Sequence, residues 1–169
     1  MKKISYFIFL IFFFLNINIV HSNDNVYFID LDFVLKNSEI GKNTLAIIEK
    51  INNENIQDLK SKENELKTLE NDIKIKQNIV SKEEFDKEVA LLKTKINTYK
   101  SLKNEMVIDF NKKKNKILND YFNKINPIIQ EYMNENSINI LLETKNVFIG
   151  KNNLDITLDI INKIDKQLK

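Results

Sequence analysis

The side chains that usually carry chemistry are scarce in this sequence. There is one histidine, His21, and no cysteine. A hydrolase triad needs a base of the histidine type to take the proton of its nucleophile. A zinc site needs Cys and His at set spacings. Neither can be assembled from what is present. Gly41 and Gly150 are the only glycines, so no Gly-rich loop can cradle a phosphate. Carboxylates and lysines remain. Asp30 and Asp32 could form an acid–base pair, but no third polar group supports them. Either one is better placed to cap a short helix carrying Phe33, Val34 and Leu35. Glu63 with Glu65, and Glu83 with Glu84, read as solvated helix surface. No catalytic, cofactor-binding or metal-binding residue is assigned, and the chain is expected not to be an enzyme.

Few turn residues mean few, long elements. Two Gly and one Pro in 169 residues cannot punctuate a β-sandwich or a typical α/β enzyme. The first 22 residues carry Lys2 and Lys3, an apolar run from Tyr6 to Leu15, and Val20-His21-Ser22. That is the three-part pattern of a secretory signal peptide, expected to be cut after Ser22. An uncleaved anchor is the rival, but Asn16 and Asn18 interrupt a stretch already short for a span of about 20 residues. Removing the leader takes away two lysines and the only histidine. It leaves 26 − 2 = 24 basic against 24 acidic side chains. A formally neutral chain has no bulk attraction for nucleic acid, so no nucleic-acid partner is expected.

From residue 43 to 136 the sequence predicts a helical hairpin. Leu59, Leu66, Ile73 and Val80 recur every seven residues. On the second helix Phe85, Leu92, Tyr99 and Met106 hold one heptad position, and Val89, Ile96, Phe110 and Ile117 the other. A strict seven-residue repeat marks a coiled-coil seam. Folding the chain back near residue 81 sets Val80 opposite Phe85, Ile73 opposite Leu92 and Leu66 opposite Tyr99. Ser81 and Glu84 fit a capping box at the tip. Each arm of about 38 residues would be roughly 55 to 60 Å long. Lys62 falls opposite Lys103, which predicts a thin, wet seam with ammonium groups reaching water. Pro127 predicts a kink where the apolar side widens through Tyr121, Phe122, Ile125, Ile128 and Ile129.

Residues 23–42 and 137–169 are expected to form a β-rich body. Its strands would be 26–30, 138–142 and 147–149, the last two joined as a hairpin. Asp155 would cap a final helix lined by Ile156, Ile160, Ile161, Ile164 and Leu168. Three short strands are marginal alone, so association through Val26, Phe28, Ile140, Leu142 and Phe148 is expected. The fold class is thus mainly α with a small β body: a long antiparallel coiled-coil hairpin inserted in a small strand-built domain through which copies associate, a trimerisation domain on the resemblance that follows.

That order of features resembles the Skp/OmpH family over residues 25 to 168. The matching stretches are Val26 to Leu35, Ser38-Glu-Ile-Gly-Lys42, Asn136 to Leu142, and Leu154 to Ile161 with its Asp-x-Thr start. The resemblance implies a periplasmic homotrimer whose arms enclose unfolded outer-membrane proteins, holding them without ATP. On that reading Tyr99, Met106, Phe110, Tyr121 and Phe122 face the client. Residues 49 to 72 carry four Lys and seven acids, whereas 74 to 116 carry twelve Lys and six acids. Lys112, Lys113, Lys114 and Lys116 would steer acidic clients, or contact anionic lipid or lipopolysaccharide. Family members are often strongly basic and this chain is not, which weakens electrostatic capture. A coiled-coil envelope scaffold or adaptor is the main alternative. A prefoldin-like cytosolic hairpin is a third reading, disfavoured by the leader.

Overall fold

The computed structural model describes residues 25–168, so the expected leader lies outside the described residues. Strand β1 (Val26–Ile29) leads into helix α1 (Leu31–Asn37). Asp30 caps α1: its Oδ1 accepts the Phe33 N–H at 2.8 Å. The long arms follow as α2 (Glu39–Lys76) and α3 (Lys82–Glu135). Strand β2 (Ile140–Glu143), two 3-10 turns (Thr144–Asn146 and Asn152–Leu154) and helix α4 (Thr157–Gln167) complete the chain.

The first arm helix begins at Glu39, four residues before the expected start. Ser38 is the reason. Its Oγ accepts the Gly41 N–H at 3.2 Å, so the helix is capped as soon as α1 ends. Gly41 is required at this corner: a Cβ there would lie 2.1 Å from the Leu35 carbonyl oxygen. The turn between the arms falls at Gln77–Val80, and Ser81 caps α3 by accepting the Glu84 N–H at 3.3 Å. Only that half of the capping box forms among the described residues. The register is the expected one. Leu66 and Tyr99 line one groove, and Lys76 of α2 pairs with Glu88 of α3 at 2.7 Å. Ile73 is the one large apolar residue of the seam below Val80 that is fully buried, so the interface is indeed thin. Lys62 turns its ammonium to Asp58 of its own helix, 3.7 Å away, rather than into the seam. α3 continues through Pro127 without a break in its helical assignment, although the proline cannot donate to the turn before it.

The body departs from expectation in its sheet. β2 pairs with β1, in parallel, with Val26 opposite Ile140 and Phe28 opposite Leu142. Residues 147–149 form no strand, so the expected β-hairpin is absent and the body is more helical than β-rich. Ser137, at φ 54°, turns the chain back beside β1, where the Asn139 and Ile140 N–H groups donate to the Asn25 carbonyl. The far edge of β1 is occupied by Asp155 through an isolated bridge to Phe28. After the 3-10 turn Thr144–Asn146, which stands where a hairpin turn was expected, the segment 147–149 takes neither that edge nor the open outer edge of β2. It leaves as an exposed loop, with Phe148 102% and Ile149 87% exposed.

The core sits where both chain ends meet the base of the arms. Ile29, Val34, Tyr121, Ile125, Ile160 and Ile164 are its centre. Helix α4 starts two residues after Asp155, which therefore stands just outside the cap. Its Oδ1 accepts the Thr157 N–H at 2.9 Å and also the Thr157 hydroxyl. The same hydroxyl oxygen accepts the Asp30 N–H at 2.9 Å. Thr157 thereby joins the end of β1 to the start of α4. Thr157→Val keeps the shape but orphans the Asp30 amide, and is expected to cost about 1–3 kcal/mol in urea unfolding. A change within a few tenths of a kcal/mol would show that this link adds nothing.

Candidate functional site: a bare sheet face and a studded arm

Two surfaces remain apolar and uncovered. The first is one face of the sheet. Paired residues of a parallel ladder point the same way, and side chains alternate along a strand. Val26, Phe28, Ile140 and Leu142 thus share one face, while Ile29 and Leu141 on the other pack into the core. Ile140 is 48% exposed, and Leu142 is also open. The outer edge of β2 has no partner among the described residues. Phe148 is fully exposed, and the Phe28 ring lies over Gly150, where a Cβ would come within 2.7 Å. All five residues expected to build the assembly face are therefore away from the core. The open edge of β2 adds backbone donors and acceptors to that surface.

The second surface is the arm. Tyr99, Met106 and Phe110 are half-buried and occupy the seam, so they hold the hairpin together more than they face outward. Tyr121 is corrected outright: at 2% exposure it lies in the core, its hydroxyl 3.4 Å from Ser38 Oγ. Burial raises its phenol above the ordinary range, against the opposing effect of the Ser38 bond. Phe122 packs edge-on against Tyr121, with ring centroids 5.2 Å apart, and flanks the core. The apolar side chains that do reach solvent were not singled out from sequence. Ile56, Val107 and Ile108 lie midway along the arm, and Ile75, Ile79 and Leu91 lie near the tip. Off-seam aliphatics within the heptads were the available signal. Between the two clusters a shallow groove of about 250 Å³ is floored by Leu66, Leu69, Tyr99 and Leu102 and rimmed by Lys62, Glu65 and Lys95.

The four lysines expected to steer clients divide into two kinds. Lys113 pairs with Asp109 and Lys116 with Asp120, each at 2.7 Å. Lys112 and Lys114 form no ion pair among the described residues. A further polar cluster escaped the sequence because its members lie 28 to 36 residues apart. Lys163 of α4 reaches Glu135 at 2.5 Å and Glu131 at 3.6 Å, and Gln167 donates to Glu131 at 2.8 Å. The Gln167 amide, then the Lys163 ammonium, hold the Glu131 carboxyl below the usual range. The cluster clamps α4 against the base of α3. No group of three or more His, Cys, Asp or Glu that could hold a metal occurs among the described residues. No described helix is long and apolar enough to cross a membrane.

Comparison with known proteins points one way. No curated protein matches the sequence. Among solved structures, a protein from Caulobacter crescentus CB15, proposed to be an OmpH-like outer membrane chaperone, shares the fold with a TM-score of 0.78. The two are 17% identical, and the match covers 85% of each chain. The family model for OmpH-like outer membrane proteins matches residues 25–164, the body and both arms together. The chain belongs to the OmpH-like family.

Proposed function

We propose that this chain is an exported, non-enzymatic holding chaperone. It binds unfolded outer-membrane proteins in the periplasm, without ATP, as a homotrimer. One observation carries the reading: apolar surface is left bare in two places of different kind. At the base it is continuous and edged by an unpaired strand, which suits a fixed symmetric interface. Along the arms it is broken into small aliphatic clusters on an otherwise charged surface, which suits many weak contacts with a changing partner. Unfolded β-barrel segments alternate apolar and polar side chains and offer contacts of that size. Family membership and the likeness to the Caulobacter crescentus protein support the same role.

The arm lysines guide the encounter and do not hold the client. Lys112 and Lys114, free of ion pairs among the described residues, are available to acidic clients or anionic lipid, including lipopolysaccharide. Exchanging Lys112, Lys113, Lys114 and Lys116 for Gln is expected to slow association at low salt and leave dissociation nearly unchanged. Dissociation that is greatly accelerated, and stays so at high salt, would make these lysines part of the grip.

The direct test is the native mass of residues 23–169, alone and with an unfolded outer-membrane β-barrel. A trimer that takes up the client in ATP-free buffer is expected. N-terminal sequencing of the exported protein checks cleavage after Ser22. A specific observation keeps a second reading alive: Ile79, in the tip turn, is 75% exposed, and Ile75 beside it is also open. An envelope adaptor would use such a tip to dock on one partner. It would show the trimer mass but take up no unfolded client.

A further inference from the structure

The seam divides each arm into two flanks, each carrying acids of α2 and lysines of α3. Glu65 of α2 and Lys95 and Leu102 of α3 border one groove, which places their heptad positions on a single flank. Asp72 shares the heptad position of Glu65, seven residues on. The opposite flank carries Glu63 and Glu70 of α2 and Lys93 and Lys100 of α3 at the mirrored heptad positions.

Height along the arm is fixed by the register that sets Leu66 against Tyr99. By that register Glu65 stands level with Lys100, and Asp72 level with Lys93, in each case on the opposite flank. The same holds for Lys95 with Glu70 and for Lys116 with Glu49. The one pair of like charges that shares a height between residues 49 and 116, Lys62 with Lys103, falls at seam positions and not on the flanks. These partners cannot meet within one arm, because two helices of about 10 Å diameter separate the flanks. The intrachain partners open to the lysines are engaged elsewhere: Glu63 with Lys67 at 2.9 Å and Glu70 with Lys74 at 2.8 Å. Glu65, Asp72, Lys93 and Lys100 are exposed and form no ion pair among the described residues.

A rotation axis running along the arms preserves height and turns one flank of an arm toward the other flank of the next copy. From this geometry we infer that neighbouring arms of the assembly dock on one another, Glu65 against Lys100 and Asp72 against Lys93 of the next copy. This rests on the trimeric reading above and adds to it a cage whose walls close through charge. Exposed pairs of this kind are weak singly and are screened once the Debye length falls below the gap. Closure is thus set by ionic strength, and the arms part when a client spreads them.

The test uses the whole mature protein. With no native cysteine, Asn78→Cys in the tip turn places one spin label per copy. Native mass and pulsed electron resonance distances are read at about 20 mM and about 500 mM salt. A short tip-to-tip population at low salt that is lost at high salt is expected. Lys93→Glu with Lys100→Glu should abolish it at low salt. Adding Glu65→Lys and Asp72→Lys should restore it, with helix content by circular dichroism the same throughout. A trimer whose distances ignore both salt and reversal, or a fourfold swap that restores nothing, overturns the docking and leaves the trimer standing. A monomer mass for the parent protein overturns both.

Discussion

The protein with Ile140→Asp is expected to stay folded and to lose its assembly. Ile140 projects from the sheet face opposite the core, beside Val26, so the isolated protomer already leaves it half in water. An aspartate there costs the monomer little. In the assembled state the same carboxylate would be desolvated without a partner in every copy, at several kcal/mol each. Each 1.4 kcal/mol is tenfold in an association constant, so the trimer should vanish at low micromolar concentration. Native mass reads the outcome and far-ultraviolet circular dichroism confirms the helices. Ile138→Asp is the control of opposite character. Ile138 is buried in the core, so that variant should fail to fold at all. Native trimer mass in the Ile140→Asp protein would move the interface off this face.

Shortening both arms by one heptad should separate assembly from holding. Deleting 60–66 together with 99–105 removes seven residues from each helix, about 10 Å of length, and preserves the seam register. It also deletes Leu66, Tyr99 and Leu102 from the floor of the groove and leaves the body untouched. The shortened protein is expected to keep its trimer mass and to hold a large unfolded client several-fold less well. Light scattering of the diluted client measures the second effect. Loss of the trimer with undiminished holding would reverse the division of labour between body and arms.

Much of this architecture was legible because it is local. The heptads of α2 and α3, the Asp30 cap, the Ser81 turn and the Ile160–Ile164 face of α4 each depend on spacings of three to seven residues. The sheet was not legible, because its pairing is between Val26 and Ile140. Apolar, β-branched runs state that a segment suits a half-buried pleated surface; they do not name the strand beside it. Residues 147–149 have that composition and still form no strand: the 3-10 turn Thr144–Asn146 stands in place of the hairpin turn that would have laid them along β2. On the arms, apolar character alone did not tell inward from outward. Tyr121, Ile125 and Ile129 follow a spacing of four that marks them as one buried row, which the aromatic reading of Tyr121 passed over. Ile108 and Ile79, outside the seam pattern, were the true outward residues.

The parallel pairing of β1 with β2 sets an order of events as the chain folds. Bringing residue 26 to residue 140 directly would close a loop of more than a hundred residues, an entropic cost that precedes any gain from pairing. The arms remove that obstacle. Their contacts start at a tight turn and propagate between residues whose separation grows step by step, so each new contact closes only a short additional loop. Once they have zipped to their base, the two strands are delivered side by side as short stubs. Local contact order thus favours the arms before the sheet, and on the trimeric reading each chain would meet its neighbours with its arms already built.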